Sequence, residues 1–195
     1  MSPDLSQTLI VCGISGVGKT HQIRSVIEQL PDAVTWSASE IIGEARQNSD
    51  PEYLRLLPTD ELAQSQEMLV HGFTQRVQTI GHRLVLLDAH CVLDIDTGMF
   101  DISTDVMRRL GPLGFIHLED QVERILERRT RDSKRRPTRT LDQLHLYQER
   151  SRAVCKAFGA TLGKPVLEVR SSGNADFLKA IQTLITGLQS HKFVD

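Results

Sequence analysis

Five short apolar runs restrict the fold of this chain more than any other feature of its sequence. They occupy residues 8–12, 33–37, 84–88, 114–119 and 165–169, and longer amphipathic segments separate them. The runs TLIVC and LVLLD are apolar at consecutive positions, as in strands that are covered on both faces. The alternation predicts an α/β fold, with a five-stranded parallel sheet and helices on both faces. The active crevice is then expected at the carboxyl ends of the strands.

Length and charge narrow the class of protein further. With 195 residues, of which 39% are hydrophobic, the chain can bury one core, so we predict a single domain over residues 1–195. A net charge of −2 gives no overall preference for nucleic acid or an anionic membrane. No apolar run approaches the roughly 20 residues that span a bilayer, and the first residues resemble no signal peptide. These features predict no membrane partner.

The cysteine pattern bears on the cellular compartment. Cys12, Cys91 and Cys155 show no C-x-x-C spacing and leave one thiol over after any pairing. This spacing argues against a disulfide framework and against a structural zinc site. It therefore favours a reducing, cytoplasmic location.

A glycine-rich stretch joins the first apolar run to the first helical segment. Residues 13–20, GISGVGKT, fit G-x-x-x-x-G-K-[ST] directly before HQIRSVIEQL. In this context loop amides and a helix N-terminus point at phosphates, Lys19 bridges the β and γ phosphates, and the Thr20 hydroxyl binds Mg²⁺. We therefore predict that the chain binds ATP and Mg²⁺. The predicted nucleotide-binding residues are Gly13, Ser15, Gly16, Val17, Gly18, Lys19, Thr20 and His21.

Two polar residues follow the third apolar run. Asp88 ends the strand LVLLD, where a carboxylate can hold Mg²⁺ across from Thr20. A helix cap or loop aspartate is the alternative interpretation. His90 can face a substrate phosphate or stack on a base, and a loop histidine without a role is the alternative for it.

The most basic segment lies between residues 124 and 139. RILERRTRDSKRRPTR contains eight of the 23 lysines and arginines of the chain, and seven of the eight are arginines. Guanidinium groups suit bidentate contacts with phosphoryl oxygens, so the segment predicts a lid over the nucleotide at about residues 126–142. On a predicted helix Arg124 and Arg128 share one face. Arg150 lies on the next helix and can either reach the phosphates or pair with Glu149.

The longest amphipathic segment predicts a helix over residues 59–80. Leu62, Leu69, Phe73, Val77 and Ile80 recur mainly at spacings of three, four and seven. Either Thr59 or Asp60 is expected as the N-cap, and Gly81 as the C-cap. Residues 48–58 are expected to form a loop or a short helix.

Taken in order, these motifs resemble the nucleoside monophosphate kinases, and most closely the archaeal-type adenylate kinases. GISGVGKT is similar to their P-loop, LPTDELAQSQ to the start of their central helix, LLDAHCVL to their Asp-x-His strand end, and LERRTRDSKRR to their lid. The resemblance covers nearly the whole chain. It implies reversible phosphoryl transfer from ATP·Mg²⁺ to a nucleoside monophosphate, with AMP as the first candidate.

The resemblance also implies roles for individual residues. The catalytic set is Lys19, Arg124, Arg128, Arg131, Arg135 and Arg150; the acceptor set is Ser37, Ser39, Arg46, Asp88 and His90; the metal set is Thr20 and Asp88.

One position departs from the family pattern. Where the archaeal-type enzymes tend to carry an arginine, this chain has Asp94, and an aspartate repels a phosphate. Either another arginine, such as Arg46 or Arg83, binds the acceptor phosphate, or the acceptor is a different hydroxyl compound, which Asp94 or Asp88 then deprotonates.

Two further classes of protein compete with a small-molecule kinase. A nucleic-acid-associated NTPase would use the basic segment on a phosphodiester backbone, but aromatic residues make up only 5% of the chain and none interrupts that segment. A regulatory GTPase ranks last, because the sequence has no N-K-x-D motif and no D-x-x-G after the Asp88 strand.

Overall fold

The central feature of the fold is a five-stranded parallel sheet. The computed structural model describes residues 7–47, 53–132 and 136–189. The sheet has the order β2-β3-β1-β6-β7, and every neighbouring pair is parallel. Its strands are β1 (Gln7–Cys12), β2 (Ala33–Ser37), β3 (Leu84–Asp88), β6 (Pro112–Glu119) and β7 (Val166–Arg170). The five predicted strands and the α/β class are confirmed.

Helices cover both faces of this sheet. They are α1 (Lys19–Ile27), α2 (Ala38–Ala45), α3 (Thr59–Ile80), α4 (Thr104–Arg109), α5 (Val122–Arg131), α6 (Leu141–Leu162) and α7 (Asn174–Gln189), with a 3₁₀ helix at Tyr53–Leu56. Successive residues of β1 contact opposite layers. Ile10 packs with α2, α3 and α4 on one face, and Leu9 packs with α1 and α7 on the other. This two-sided burial explains why the strand sequences are continuously apolar.

A short antiparallel hairpin follows β3 and was not predicted. It consists of β4 (Val92–Ile95) and β5 (Gly98–Asp101). Asp94 and Asp96 interrupt its apolar pattern, and the turn Asp96-Thr97-Gly98 is short, so the segment reads as a loop. The hairpin matters for the site, because it contacts α6 and carries Asp94.

The N-cap of the long helix α3 lies one residue before the earlier of its two predicted caps. Pro58 is the N-cap, and it makes no side-chain hydrogen bond, so the predicted caps Thr59 and Asp60 are wrong. Gly81 is the C-cap, as predicted. The predicted short helix before α3 is the 3₁₀ helix, and residues 48–52 lie outside the described ranges.

The tertiary fold brings the three cysteines together, although they lie far apart in the sequence. Cys12 ends β1, Cys91 precedes β4, and Cys155 lies in α6. All three are buried free thiols, and their sulfur atoms lie within 4.8 Å of one another.

Within the described ranges, no helix combines the length and the apolar character that crossing a membrane requires.

Candidate active site

The glycine-rich turn lies where predicted, between β1 and α1. Gly13 has φ 148°, and a Cβ there would lie 2.7 Å from the Leu118 carbonyl oxygen of β6. Gly16 has φ 88°, and a Cβ there would lie 2.7 Å from the Arg129 side chain. Both positions therefore require glycine, for backbone conformation and for space. The turn ends at Gly18, the N-cap of α1, so the N-terminus of that helix faces the same opening.

Lys19 is held above this turn by its own loop. Its Nζ donates to the Gly13 carbonyl oxygen at 3.0 Å and lies 3.8 Å from Asp88 Oδ1. Nδ1 of His90 lies 2.9 Å from the same carbonyl oxygen, and both of its ring nitrogens are 3.5 Å from Nζ. The Lys19 side chain is only 6% exposed. A buried ammonium with fixed partners is already oriented toward an anion above the turn.

Thr20 and Asp88 meet at the carboxyl ends of β1 and β3. Thr20 Oγ1 donates to Asp88 Oδ2 at 2.7 Å. Neighbouring oxygen ligands of an octahedral Mg²⁺, at about 2.1 Å from the ion, are about 3 Å apart. The two oxygens therefore fit a magnesium site with little movement, and the site is open enough for further water ligands because Thr20 is exposed.

Arg128 reaches the turn from α5. Its Nη1 donates to the carbonyl oxygens of Val17 at 2.9 Å and Gly16 at 3.4 Å, while Nη2 pairs with Asp120. Asp120 follows β6, and Gln148 of α6 fixes its backbone through two hydrogen bonds of 3.0 and 3.1 Å. A chain of three side chains thus positions one guanidinium beside the phosphate turn.

Asp94 does not stand alone in front of an acceptor, and the argument that its charge repels a phosphate is wrong. It is buried, and its Oδ2 accepts from Arg129 at 2.7 Å and its Oδ1 from Arg139 at 3.1 Å. Arg139 also donates to the Ile95 carbonyl oxygen and lies over the Tyr147 ring at 5.3 Å. Both carboxylate oxygens are bound by guanidinium groups, so Asp94 is also a poor general base.

Removing the Asp94 carboxylate is expected to destabilise the fold strongly. In Asp94→Ala, the Arg129 side chain, which is 5% exposed, keeps its charge but loses its ion pair. Loss of one partner of a buried pair costs about 3 kcal/mol or more. The free energy of unfolding from urea titration measures this loss. Glu67→Ala, which breaks the exposed Arg109–Glu67 pair, is the matched control, and an equal loss in both variants would contradict the assignment.

The other predicted arginines that the structure describes have partners within the chain. Arg124 lies 3.8 Å from Asp120, and exposed Arg131 pairs with Glu127 at 2.5 Å. Arg150 pairs with Asp101 of β5 and not with Glu149, the partner in the alternative interpretation, and the structure shows no contact from Arg150 to the turn among the described residues. Arg135 lies outside the described residues. In the described part of the basic segment, the arginines pair with the chain's own carboxylates, and the predicted contacts with phosphoryl oxygens stay a prediction.

The predicted acceptor residues lie at the carboxyl end of β2 and along α2. Ser37 is the N-cap of α2, and its Oγ lies 2.9 Å from Ser39 Oγ. Arg46, the C-cap of α2, pairs with Glu61 of α3 at 3.2 Å and lies 5.9 Å from the centroid of the Tyr53 ring. The structure brings these residues to one wall, formed by α2, α3 and the 3₁₀ helix.

Arg83 does not suit the acceptor role suggested for it. It precedes β3 and donates to the Ala33 carbonyl oxygen at the first residue of β2. Both atoms lie at the amino ends of the strands, on the edge of the sheet opposite the P-loop.

The remaining predicted nucleotide-binding residues follow the helix and turn geometry. Ser15 and Val17 are buried in the turn, and His21 is exposed in the first turn of α1.

Sequence reasoning missed Asp120, Gln148, Arg129, Arg136 and Arg139. Asp120 carried a usable signal, since it directly follows a predicted strand, as Asp88 nearly does. Arg136 is 10% exposed, and its Nε and Nη1 have no hydrogen-bond partner in the described part of the chain.

The sheet order and the edge at which these side chains meet define the class of protein. A parallel sheet whose first strand runs through a glycine-rich turn into a helix, with a lysine and an aspartate facing each other across strands, is the arrangement of a P-loop nucleotide-binding protein. Its similarity to the proteins described below places the chain among the P-loop kinases. P-loop kinases use ATP, usually with Mg²⁺. The chain belongs to the AAA domain family, whose model matches residues 12–145.

Comparison with known proteins agrees with this class. The chain is 24% identical to an adenylate kinase from Methanothermobacter thermautotrophicus, covering 86% of this chain and 92% of that protein. It is 27% identical to an adenylate kinase from Methanoculleus marisnigri, covering 95% and 100%. Among solved structures, the shikimate kinase from Acinetobacter baumannii in complex with shikimate is similar in fold, with a TM-score of 0.61, 16% identity and coverage of 93% and 94%. The resemblance to adenylate kinases is confirmed.

Proposed function

We propose that this kinase transfers the γ-phosphoryl group of ATP·Mg²⁺ to a nucleoside monophosphate, with AMP as the preferred acceptor. The observation that carries the donor half is the convergence of Lys19, the Thr20–Asp88 pair and Arg128 on one turn. The acceptor half is supported by the two adenylate kinases that match nearly the whole chain.

The donor site binds the triphosphate by preorganised charge. Lys19 Nζ, held by the Gly13 carbonyl oxygen, neutralises the β and γ phosphates. Arg128 exchanges its contacts with the Val17 and Gly16 carbonyl oxygens for phosphoryl oxygens, while Asp120 keeps its side chain in place. Since these groups are fixed before the reaction, they stabilise the developing charge with little reorganisation.

The chemical step needs no covalent enzyme intermediate. The bond from the β–γ bridging oxygen to the γ phosphorus breaks, and a bond from the acceptor oxygen to the same phosphorus forms. Magnesium, when bound at Thr20 and Asp88, neutralises charge on the phosphoryl oxygens. We assign to His90, whose Nδ1 lies 3.5 Å from Lys19 Nζ, a hydrogen bond to an acceptor oxygen.

The acceptor binds on the wall formed by α2 and α3. Ser37 and Ser39 offer hydroxyl groups at the start of α2. Arg46 supplies a guanidinium whose buried Nε has no hydrogen-bond partner among the described residues. A phosphate monoester is the acceptor group that this guanidinium fits best.

An assay of ADP release tests the acceptor. We expect ATP-dependent turnover with AMP that clearly exceeds hydrolysis without acceptor, and inhibition by diadenosine pentaphosphate, which spans two nucleotide sites. GMP, CMP, UMP, shikimate and water alone complete the panel. Turnover that never rises above the hydrolysis background with any monophosphate would eliminate this proposal.

A second candidate keeps the donor chemistry and changes the acceptor to a hydroxyl compound without phosphate. The observation in its favour is Asp94, which occupies the position of a family arginine and binds two arginines itself. That exchange removes a cation that a monophosphate acceptor would use. In the same assay, this kinase would ignore all nucleoside monophosphates and respond to an alcohol or a sugar acid.

A further inference from the structure

Three cysteines form a compact cluster directly behind the phosphate turn. Cys12 is the last residue of β1, Cys91 follows His90, and Cys155 lies in the middle of α6. Each comes from a different element, and each is fully buried at 0% exposure. Their three sulfur atoms lie within 4.8 Å of one another. The kinase chemistry described above uses none of them.

The spacing of the sulfur atoms suits a single cation. Three sulfurs that each lie about 2.3 Å from one ion are about 3.8 to 4.0 Å apart, whether the arrangement is one face of a tetrahedron or a trigonal plane. The observed separations, with an upper limit of 4.8 Å, require shifts of less than an ångström to reach this geometry. Side-chain rotation alone can supply such shifts.

We propose that Cys12, Cys91 and Cys155 form a three-thiolate site for one thiophilic divalent cation of the zinc and cadmium class. Thiolate sulfur selects soft or borderline ions over Mg²⁺, so the site does not compete with Thr20 and Asp88 for magnesium. Binding follows a simple balance, in which three thiolates and one divalent ion give a complex of charge −1, and each sulfur that is still protonated releases its proton.

The three thiols differ in how readily they ionise. Hydrogen bonds from the thiols of Cys12 and Cys91 hold the pKa of Cys155 below its usual range, so one sulfur is readily ionised. Burial raises the pKa of Cys12 and Cys91, so these two thiols ionise only when a cation compensates their charge. The ammonium of Lys19 also stabilises a negative charge on Cys12.

The position of the cluster links it to the phosphate site. Cys12 immediately precedes Gly13, whose carbonyl oxygen accepts from Lys19, and Cys91 immediately follows His90, which contacts the same oxygen. A bound cation would therefore tie the floor of the turn and the His90 loop to α6. We expect occupancy to raise the thermal unfolding temperature.

Cadmium titration tests the proposal without any measurement of activity. The reduced full-length protein, stripped with a chelator, is titrated with Cd²⁺, both when folded and during refolding, because the buried sulfurs limit entry. We expect sulfur-to-cadmium charge-transfer absorption that saturates at one equivalent, with release of protons. Cadmium bound at Asp88 gives no such absorption, so the two sites are distinguished.

Variants separate sulfur ligation from packing. Cys155→Ala, and independently Cys91→Ser, should weaken cadmium binding by about 10²-fold or more. Phe158→Leu, one turn away on the same buried face of α6, should keep the one-equivalent band. Absence of the band after both loading routes would overturn the proposal. It would also be overturned if folded Phe158→Leu lost the band, or if both cysteine variants retained full affinity.

Discussion

Lys19→Ala is expected to lower turnover by about 10³-fold or more while the protein stays folded. Lys19 is the one cationic side chain of the turn, residues 13–20. A hydrogen bond to the Gly13 carbonyl oxygen holds its Nζ in position. Its loss therefore removes charge stabilisation from the transferring group and does not break the core. The measurement is the steady-state rate of ADP formation, together with far-ultraviolet circular dichroism.

A matched lysine provides the control. Lys156→Ala breaks the exposed pair with Glu168 on the outside of α6 and should leave turnover unchanged. Turnover in Lys19→Ala within about tenfold of the unmodified protein would refute the assigned role. So would an equal loss in the two lysine variants.

Arg128→Ala is expected to reduce kcat by about 10²-fold or more. Arg128 is the arginine of α5 that the structure brings to the turn through its Nη1, and Asp120 fixes its other nitrogen. If it acts mainly in the transition state, kcat and kcat/KM should fall by the same factor. Steady-state kinetics with varied ATP at saturating acceptor give both numbers.

Two further variants serve as controls for Arg128→Ala, one at the same position and one at a remote exposed arginine. Arg128→Lys keeps a charge but cannot bind Asp120 and a phosphate as a fork, so we expect partial recovery only. Arg108→Ala, which breaks an exposed pair with Asp105 in α4, should behave like the unmodified protein. A rise in KM for ATP with unchanged kcat would show that Arg128 binds ground state and transition state equally.

The sheet was predictable because burial on both faces requires apolar residues at consecutive positions of a strand. Ile10 and Leu9 of β1 enter opposite layers, so both positions must be apolar, and the same holds along β3. The hairpin β4–β5 has no such run of consecutive apolar residues. Its inward positions include Asp94, whose burial is compensated by charges from far along the chain.

Residues fixed by local backbone geometry were predictable within the candidate site as well. Gly13, Lys19 and Thr20 occupy a turn whose shape depends on adjacent residues, and Asp88 is placed by the end of its strand. The arginines were not, because a long flexible side chain finds its partner through tertiary contacts. Arg128 reaches the turn, whereas Arg150 pairs with Asp101.

The same limit explains the cysteines. Cys12 and Cys155 are 143 positions apart, so sequence spacing gave no sign of their contact. Only the packing of α6 against the end of β1 brings them together.

The pairing of Asp94 with Arg129 and Arg139 has a consequence for how related chains can diverge at this position. A single exchange of Asp94 to arginine would place three guanidinium groups together in a buried position without a carboxylate. The uncompensated charge would remove a large part of the free energy of unfolding. A cation can return there only together with an acid at position 129 or 139. Among homologues, these three positions should therefore change as a set, with the sum of their charges conserved.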